Sequence, residues 1–214
     1  MPSPTARGPR PSPGPGAGPG PRPGPLPVAG ALDRALDLVA GAEPRCGTTV
    51  VVAVDGPSGS GKSTFATALA ARLGGAQVVR MDDIYPGWDG LEAAVPLLRD
   101  GVLEPLARGE RAAYLRFDWE REAFAEAHEV PAAPVLVVEG VGCGARACAP
   151  WLSVLVWMEA SPEVRHGRGM DRDGETYRPH WERWAAQERR HFAAEGTRRR
   201  ADLVVDTDPA PAGA

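Results

Sequence analysis

Of the 24 basic side chains in this 214-residue chain 23 are arginines, and Lys62 is the one lysine. It lies in Gly56-Pro57-Ser58-Gly59-Ser60-Gly61-Lys62-Ser63, which has the G-x-x-x-x-G-K-[ST] spacing of a loop that cradles nucleotide phosphates. The glycines let the backbone curl so that N–H groups from Gly56, Ser58, Gly59, Ser60 and Gly61 face phosphate oxygens. A helix opening through Thr64 adds the partial positive charge of its N-terminus. In that arrangement Lys62 reaches the β and γ phosphates of ATP, and the Ser63 hydroxyl ligates Mg²⁺. A compact ammonium suits the pocket better than a longer, planar guanidinium, which accounts for one lysine in a chain that otherwise uses arginine. The Asn-Lys-x-Asp or Thr-Lys-x-Asp guanine reader of a GTPase needs a second lysine, and the Leu-Ser-Gly-Gly-Gln signature of transporter ATPases is absent. Small-molecule phosphoryl transfer is the chemistry that remains.

These residues need a scaffold, and the hydrophobic pattern supplies one. Apolar runs at Val50 to Val54, Val78 to Val79, Val135 to Val138, Leu152 to Met158 and Leu203 to Val205 read as strands buried on both faces. From Lys62 to Leu73, Phe65, Leu69 and Leu73 recur every four residues, as on one face of a helix. A helix over residues 31–42 precedes the first strand, with Leu32, Leu36, Val39 and Ala40 as its inner face. This alternation predicts an α/β fold with a mostly parallel sheet and crossover helices. The stretch from Met81 to Gly90 reads as a loop at the carboxyl end of the second strand, where open parallel sheets bind ligands.

Residues 1–30 hold 11 of the 23 prolines and 7 of the 26 glycines with almost nothing apolar, so they read as a disordered tail. Residues 31–208 form the folded domain, and 209–214 a flexible C-terminus. Net charge is −4, and without Arg7, Arg10 and Arg22 of the tail the balance is 21 basic against 28 acidic residues, which argues against a nucleic-acid partner. The apolar runs fall far short of the roughly 20 residues that span a bilayer. Cys46, Cys143 and Cys148 make neither an even set nor a C-x-x-C pair, and no secretory apolar block precedes them, so a reduced, cytoplasmic protein is expected.

Three segments in order, Val54 to Ser63, Met81-Asp82-Asp83-Ile84-Tyr85, and Val135 to Gly140, resemble the uridine kinase and phosphoribulokinase type of P-loop kinase across about Thr48 to Asp206. The resemblance implies a P-loop three-layer sandwich with a five-stranded parallel sheet in the order 2-3-1-4-5, Mg-ATP as donor, a small hydroxylated acceptor and an arginine-rich lid. By the same resemblance Asp82 lies near the acceptor hydroxyl, to take its proton or to orient it, with Asp83 and Tyr85 beside it. Glu139, at the end of an apolar run, would complete the Mg²⁺ environment by holding metal-bound water, with Asp55 as the weaker acidic candidate. Arg165, Arg168, Arg172, Arg178 and Arg183 fall in the lid segment. Among them Arg168 and Arg172 are expected to face ATP and the transferred group.

Acceptor recognition is less fully specified. Asp89 in Trp88-Asp89-Gly90 stands where uridine kinases bind ribose hydroxyls, and Phe117-Asp118-Trp119 resembles their base-binding stretch, but Glu122 replaces the histidine expected after it. The reading is an ATP-dependent kinase of a small nucleoside-like alcohol. A kinase of a sugar, vitamin or antibiotic, and a nucleotide-binding regulator without acceptor chemistry, stand as alternatives. The sequence leaves the oligomeric state open.

Overall fold

Apolar side chains at nearly every position of the central strands leave no polar face, so helices must cover both sides of the sheet. The structure, a computed structural model, describes residues 26–209. Its elements are β1 (Leu26–Pro27), α1 (Val28–Ala40), β2 (Val50–Asp55), α2 (Lys62–Arg72), β3 (Gln77–Arg80), α3 (Leu91–Leu98), α4 (Glu104–Ala107), β4 (Ala112–Asp118), β5 (Ala123–Val130), β6 (Val135–Glu139), β7 (Val154–Glu159), α5 (Pro162–Tyr177), α6 (Trp181–Glu195), α7 (Thr197–Arg200) and β8 (Leu203–Asp206). The strands pair in parallel in the order β3-β6-β2-β7-β8-β1. Counted from the strand before the phosphate loop, this is the expected 2-3-1-4-5 with β1 added at the outer edge. No described helix is long and apolar enough to cross a membrane.

Alternate residues of each strand feed opposite layers. Val51, Ala53, Val79, Val138 and Trp157 pack with α3, the β4–β5 hairpin and Trp184 of α6. Val50, Val52, Val54, Val137, Val156 and Val205 pack with α1 and with Phe65, Ala66 and Leu69 of α2. Each fully buried leucine or phenylalanine contributes about 1.5–3 kcal/mol, so the two layers together hold the sheet.

Three expectations change. Residues 26–30 are not tail: Leu26 and Pro27 pair with Val205 and Asp206, and α1 starts at Val28. Proline is tolerated there because an edge strand need not donate every N–H. Residues 1–25 and 210–214, the rest of the two expected flexible ends, lie outside the described residues. The inner face of α1 is Ala31, Ala35 and Val39, with Leu32 and Leu36 half-buried beside it and Ala40 exposed. Small alanines let the helix approach the sheet closely, and the leucines flank that contact. The hairpin β4–β5 was not foreseen. It stands apart from the main sheet, joined by a turn at residues 119–122.

Candidate active site

Phosphate chemistry converges where β2 meets α2. Gly56 has φ 144°, and a Cβ there would lie 2.0 Å from the Met158 carbonyl oxygen; at Gly59 (φ 78°) it would lie 2.3 Å from that of Arg165. Only glycine fits such positions. Gly61, also left-handed, caps α2. Lys62 is 8% exposed and its Nζ donates to the Pro57 carbonyl at 3.0 Å. Ser60 Oγ is buried without a partner. A glycine-built loop, a buried ammonium resting on a neutral carbonyl, and a helix N-terminus together fit an anionic phosphate.

Glu139 ends β6 buried at 3% exposure, where Arg80 Nη1 donates to it at 2.8 Å and the Ser63 hydroxyl also hydrogen-bonds to it. Burial pushes its carboxyl above the usual range, while Lys62 beside it pulls the other way. A hydroxyl and a carboxylate are hard oxygen donors of the kind that would hold Mg²⁺, directly or through the waters it retains. Asp55 serves differently. Its carboxylate accepts from the N–H groups of Gly56 (2.7 Å), Gly142 (3.0 Å) and Gly144 (3.0 Å), stapling the start of the loop to the segment after β6. Burial raises its carboxyl, opposed by these three donors and Lys62.

A cavity of about 890 Å³ opens from this loop, a size suited to small-molecule ligands. Ser58, Gly59, Gly61, Lys62, Ser63 and Thr64 of the loop line it. Arg168 and Arg172, one turn apart on α5, also line it; Arg168 donates to Thr207 Oγ1 at 2.8 Å and to Thr207 O at 2.6 Å. The lining also includes Asp82 and Asp83, on the turn that continues β3, with Tyr85, Trp88, Trp119, Tyr177 and Trp184. The hairpin tip reaches this turn, where Trp119 Nε1 donates to the Asp82 carbonyl at 2.9 Å. Asp83 accepts from Tyr114 at 3.4 Å.

Several expected substrate residues are otherwise engaged. The Tyr85 ring lines the cavity, but its hydroxyl donates to the Val141 carbonyl at 2.8 Å and its ring meets Trp184 edge-on. Burial holds that hydroxyl well above its usual pKa. Asp89 is exposed outside the cavity and paired with Arg183 of α6. Asp118 also lies outside it; its carboxylate accepts from the N–H groups of Glu120 (3.1 Å) and Arg121 (3.0 Å) and holds the hairpin turn. Gly56 and Ser60 shape the loop without lining the cavity. Trp88 stacks on His180 and Tyr177, with ring centroids at 4.3 and 5.4 Å, so it is built into the wall.

Three residues went unnoticed as site candidates: Tyr177, whose hydroxyl donates to Ser58 Oγ at 2.9 Å; Trp184, which lines the cavity; and Glu188. Glu188 is 3% exposed and accepts from Ser58 N at 2.7 Å and Trp184 Nε1 at 2.9 Å. For Trp184 and Glu188 the signal is the stripe Trp184, Gln187, Glu188, His191 on α6, where helical spacing puts polar residues on a buried face; Tyr177, at the end of α5, has no such mark.

One family profile, described as an AAA domain, matches residues 51–208, most of the chain. The protein belongs to this AAA-domain family. Among solved structures, this AAA-domain protein is similar to one described as a possible uridine kinase from Bacillus stearothermophilus, at 20% identity and TM-score 0.58, over 84% of this chain and 99% of that one. It is also similar to one described as a fructose transport system kinase from Silicibacter sp. TM1040, at 26% identity and TM-score 0.52, over 86% of this chain and 100% of that one. Among curated proteins none matches. The fold is thus that of a P-loop kinase of the uridine kinase and phosphoribulokinase type, as the motifs imply.

Proposed function

We propose that this protein transfers the γ-phosphoryl group of ATP to a hydroxyl of a small nucleoside-like molecule. One observation carries the reading: the Lys62 loop and Asp82 line one and the same cavity. Lys62, Arg168 and Arg172 surround the place where negative charge would build up during transfer. Asp82 orients the acceptor hydroxyl toward the phosphate or takes its proton, and Asp83 holds a second donor of the acceptor. Ser63 and Glu139 are the residues that would hold Mg²⁺, which when bound neutralises charge on the β and γ oxygens. A reducing compartment such as the cytoplasm suits three buried, unpaired cysteines.

A second reading, a kinase of another small alcohol such as a sugar, vitamin or antibiotic, is favoured by the state of the aromatic wall. The polar atoms of Tyr85, Trp119, Tyr177 and Trp184 are all engaged within the protein. Of the aromatic residues that line the cavity, Trp88 alone is left to donate to a carbonyl-bearing base edge, whereas Asp82 and Asp83 accept from hydroxyl or amino groups. The test is ADP release against a panel of nucleosides, sugars and amino alcohols, repeated with Asp82→Asn. The variant is expected to bind Mg-ATP as wild type does and to lose about 10²-fold in turnover, the range of a lost general base. Unaltered turnover would remove Asp82 from the mechanism. ADP release that no alcohol stimulates would favour a nucleotide-binding regulator.

A further inference from the structure

Ser58 is held at all three of its polar atoms by side chains from the helices after β7. Its N–H donates to Glu188 at 2.7 Å, its carbonyl accepts from Arg165 Nη1 at 3.2 Å, and its hydroxyl accepts from Tyr177 at 2.9 Å. Glu188 Oε1 is in turn gripped by Trp184 Nε1, and its Oε2 faces Arg165 at 3.7 Å. The carboxylate does not line the cavity that opens from the loop, so it bears on a ligand there through other residues. Burying an ion is costly unless its partners compensate, and an apolar side chain would fill the same space without that cost. The partners of Glu188 are the loop itself, the arginine that also holds the loop, and a tryptophan of its own helix.

We propose that Glu188 is a positioning residue that acts through Ser58, holding the phosphate-binding loop in its binding shape and coupling nucleotide binding to the docking of α6. The inference rests on reading this loop as an Mg-ATP site. Gly56, Gly59 and Gly61 give the loop its curl and also its freedom, and ordering that freedom on binding weakens affinity. Ser58 sits between the first two glycines, and the clamp on it removes much of that freedom beforehand. Coupling is reciprocal: if docked α6 favours the bound loop, bound nucleotide favours docked α6 by the same factor. Glu188 and Tyr177 act on one residue, so their removals should not add.

The test uses calorimetric titration of Mg-ATP together with hydrogen exchange along residues 181–195. In the wild type, saturating Mg-ATP should slow exchange in α6. Glu188→Gln can keep both bonds to Oε1 but turns an amide N–H toward Arg165, and its Kd should rise severalfold. Glu188→Ala, which strips Ser58 N–H of its acceptor, should raise Kd by about tenfold or more. Tyr177→Phe should raise it less, and less again in the Glu188→Gln background than alone. A residue that served packing alone would lower the melting temperature and leave Kd and the exchange response intact. A folded Glu188→Gln protein with wild-type Kd, or α6 exchange indifferent to Mg-ATP in the wild type, overturns the inference. The wild-type exchange measurement decides even where Glu188→Ala does not fold. Nucleotide binding that depends on Glu188 without any alcohol phosphorylated would sink the kinase reading alone, and a wild type that does not bind Mg-ATP would sink both.

Discussion

Lys62 has little room to be anything else. Its ammonium rests on the Pro57 carbonyl at 3.0 Å and the side chain is 8% exposed, so a guanidinium placed there would need space that the loop does not provide. Lys62→Arg should lose nearly all phosphoryl transfer, as should Lys62→Ala, with circular dichroism and melting temperature close to wild type; near wild-type turnover in the arginine variant would contradict this account. That Lys62, Ser63, Asp82, Asp83 and Glu139 gather at one cavity was legible because the loop motif marks the first two, and the others stand at or just beyond the ends of valine-rich strands. Tyr85 and Glu188 were not readable in the same way. What their polar atoms do depends on partners 56 and 130 residues away, Val141 and Ser58. Asp118 shows the opposite case, since its partners two and three residues on make it a turn residue by local rules, and a resemblance drew attention to the carboxylate instead.

Among the elements, the hairpin β4–β5 is the one that the pattern concealed. Its inner positions, Tyr114, Phe117 and Val130, are buried, but a bulge between Leu115 and Phe117 breaks the alternation, and Leu115 and Phe124 are exposed. The strands of the main sheet, apolar on both faces, leave no such ambiguity. The outer face of the hairpin is tied by Arg116, whose Nε donates to Glu126 at 2.6 Å. That bond, the first of several, holds the exposed Glu126 carboxyl down to about 2. A lowered carboxyl stabilises the folded state above its ordinary value of 4.5, and the contribution is lost as pH falls through about 2. Arg116→Ala should therefore move the Glu126 titration midpoint upward toward 4.5, as followed by carboxyl NMR. An unmoved midpoint would mean that the arginine is not what sets it. Because the hairpin tip reaches the Asp82 carbonyl through Trp119, loosening the hairpin should affect acceptor affinity before it affects nucleotide affinity.

For the whole molecule, sheet order brings the carboxyl ends of β2, β3 and β6 side by side, and so gathers Lys62, Asp82 and Glu139 from segments far apart in the chain. At the opposite edge β1 closes the sheet against β8. Deleting residues 1–25 should leave melting temperature and Mg-ATP affinity unchanged, since they carry little apolar surface to dock. Extending the deletion through Pro27 removes the pairing with Val205 and Asp206 and should lower the melting temperature by about 2–4 °C. Equal melting temperatures for the two truncations would show that β1 adds nothing to the sheet. The lone lysine has a consequence of another kind. Among its side chains this sequence offers amine-directed chemistry a single nitrogen, and the fold has buried it in the phosphate loop. Reductive methylation with a carbon-13 label would place one side-chain reporter in that loop, and its resonance would register arriving phosphate without interference from the rest of the surface.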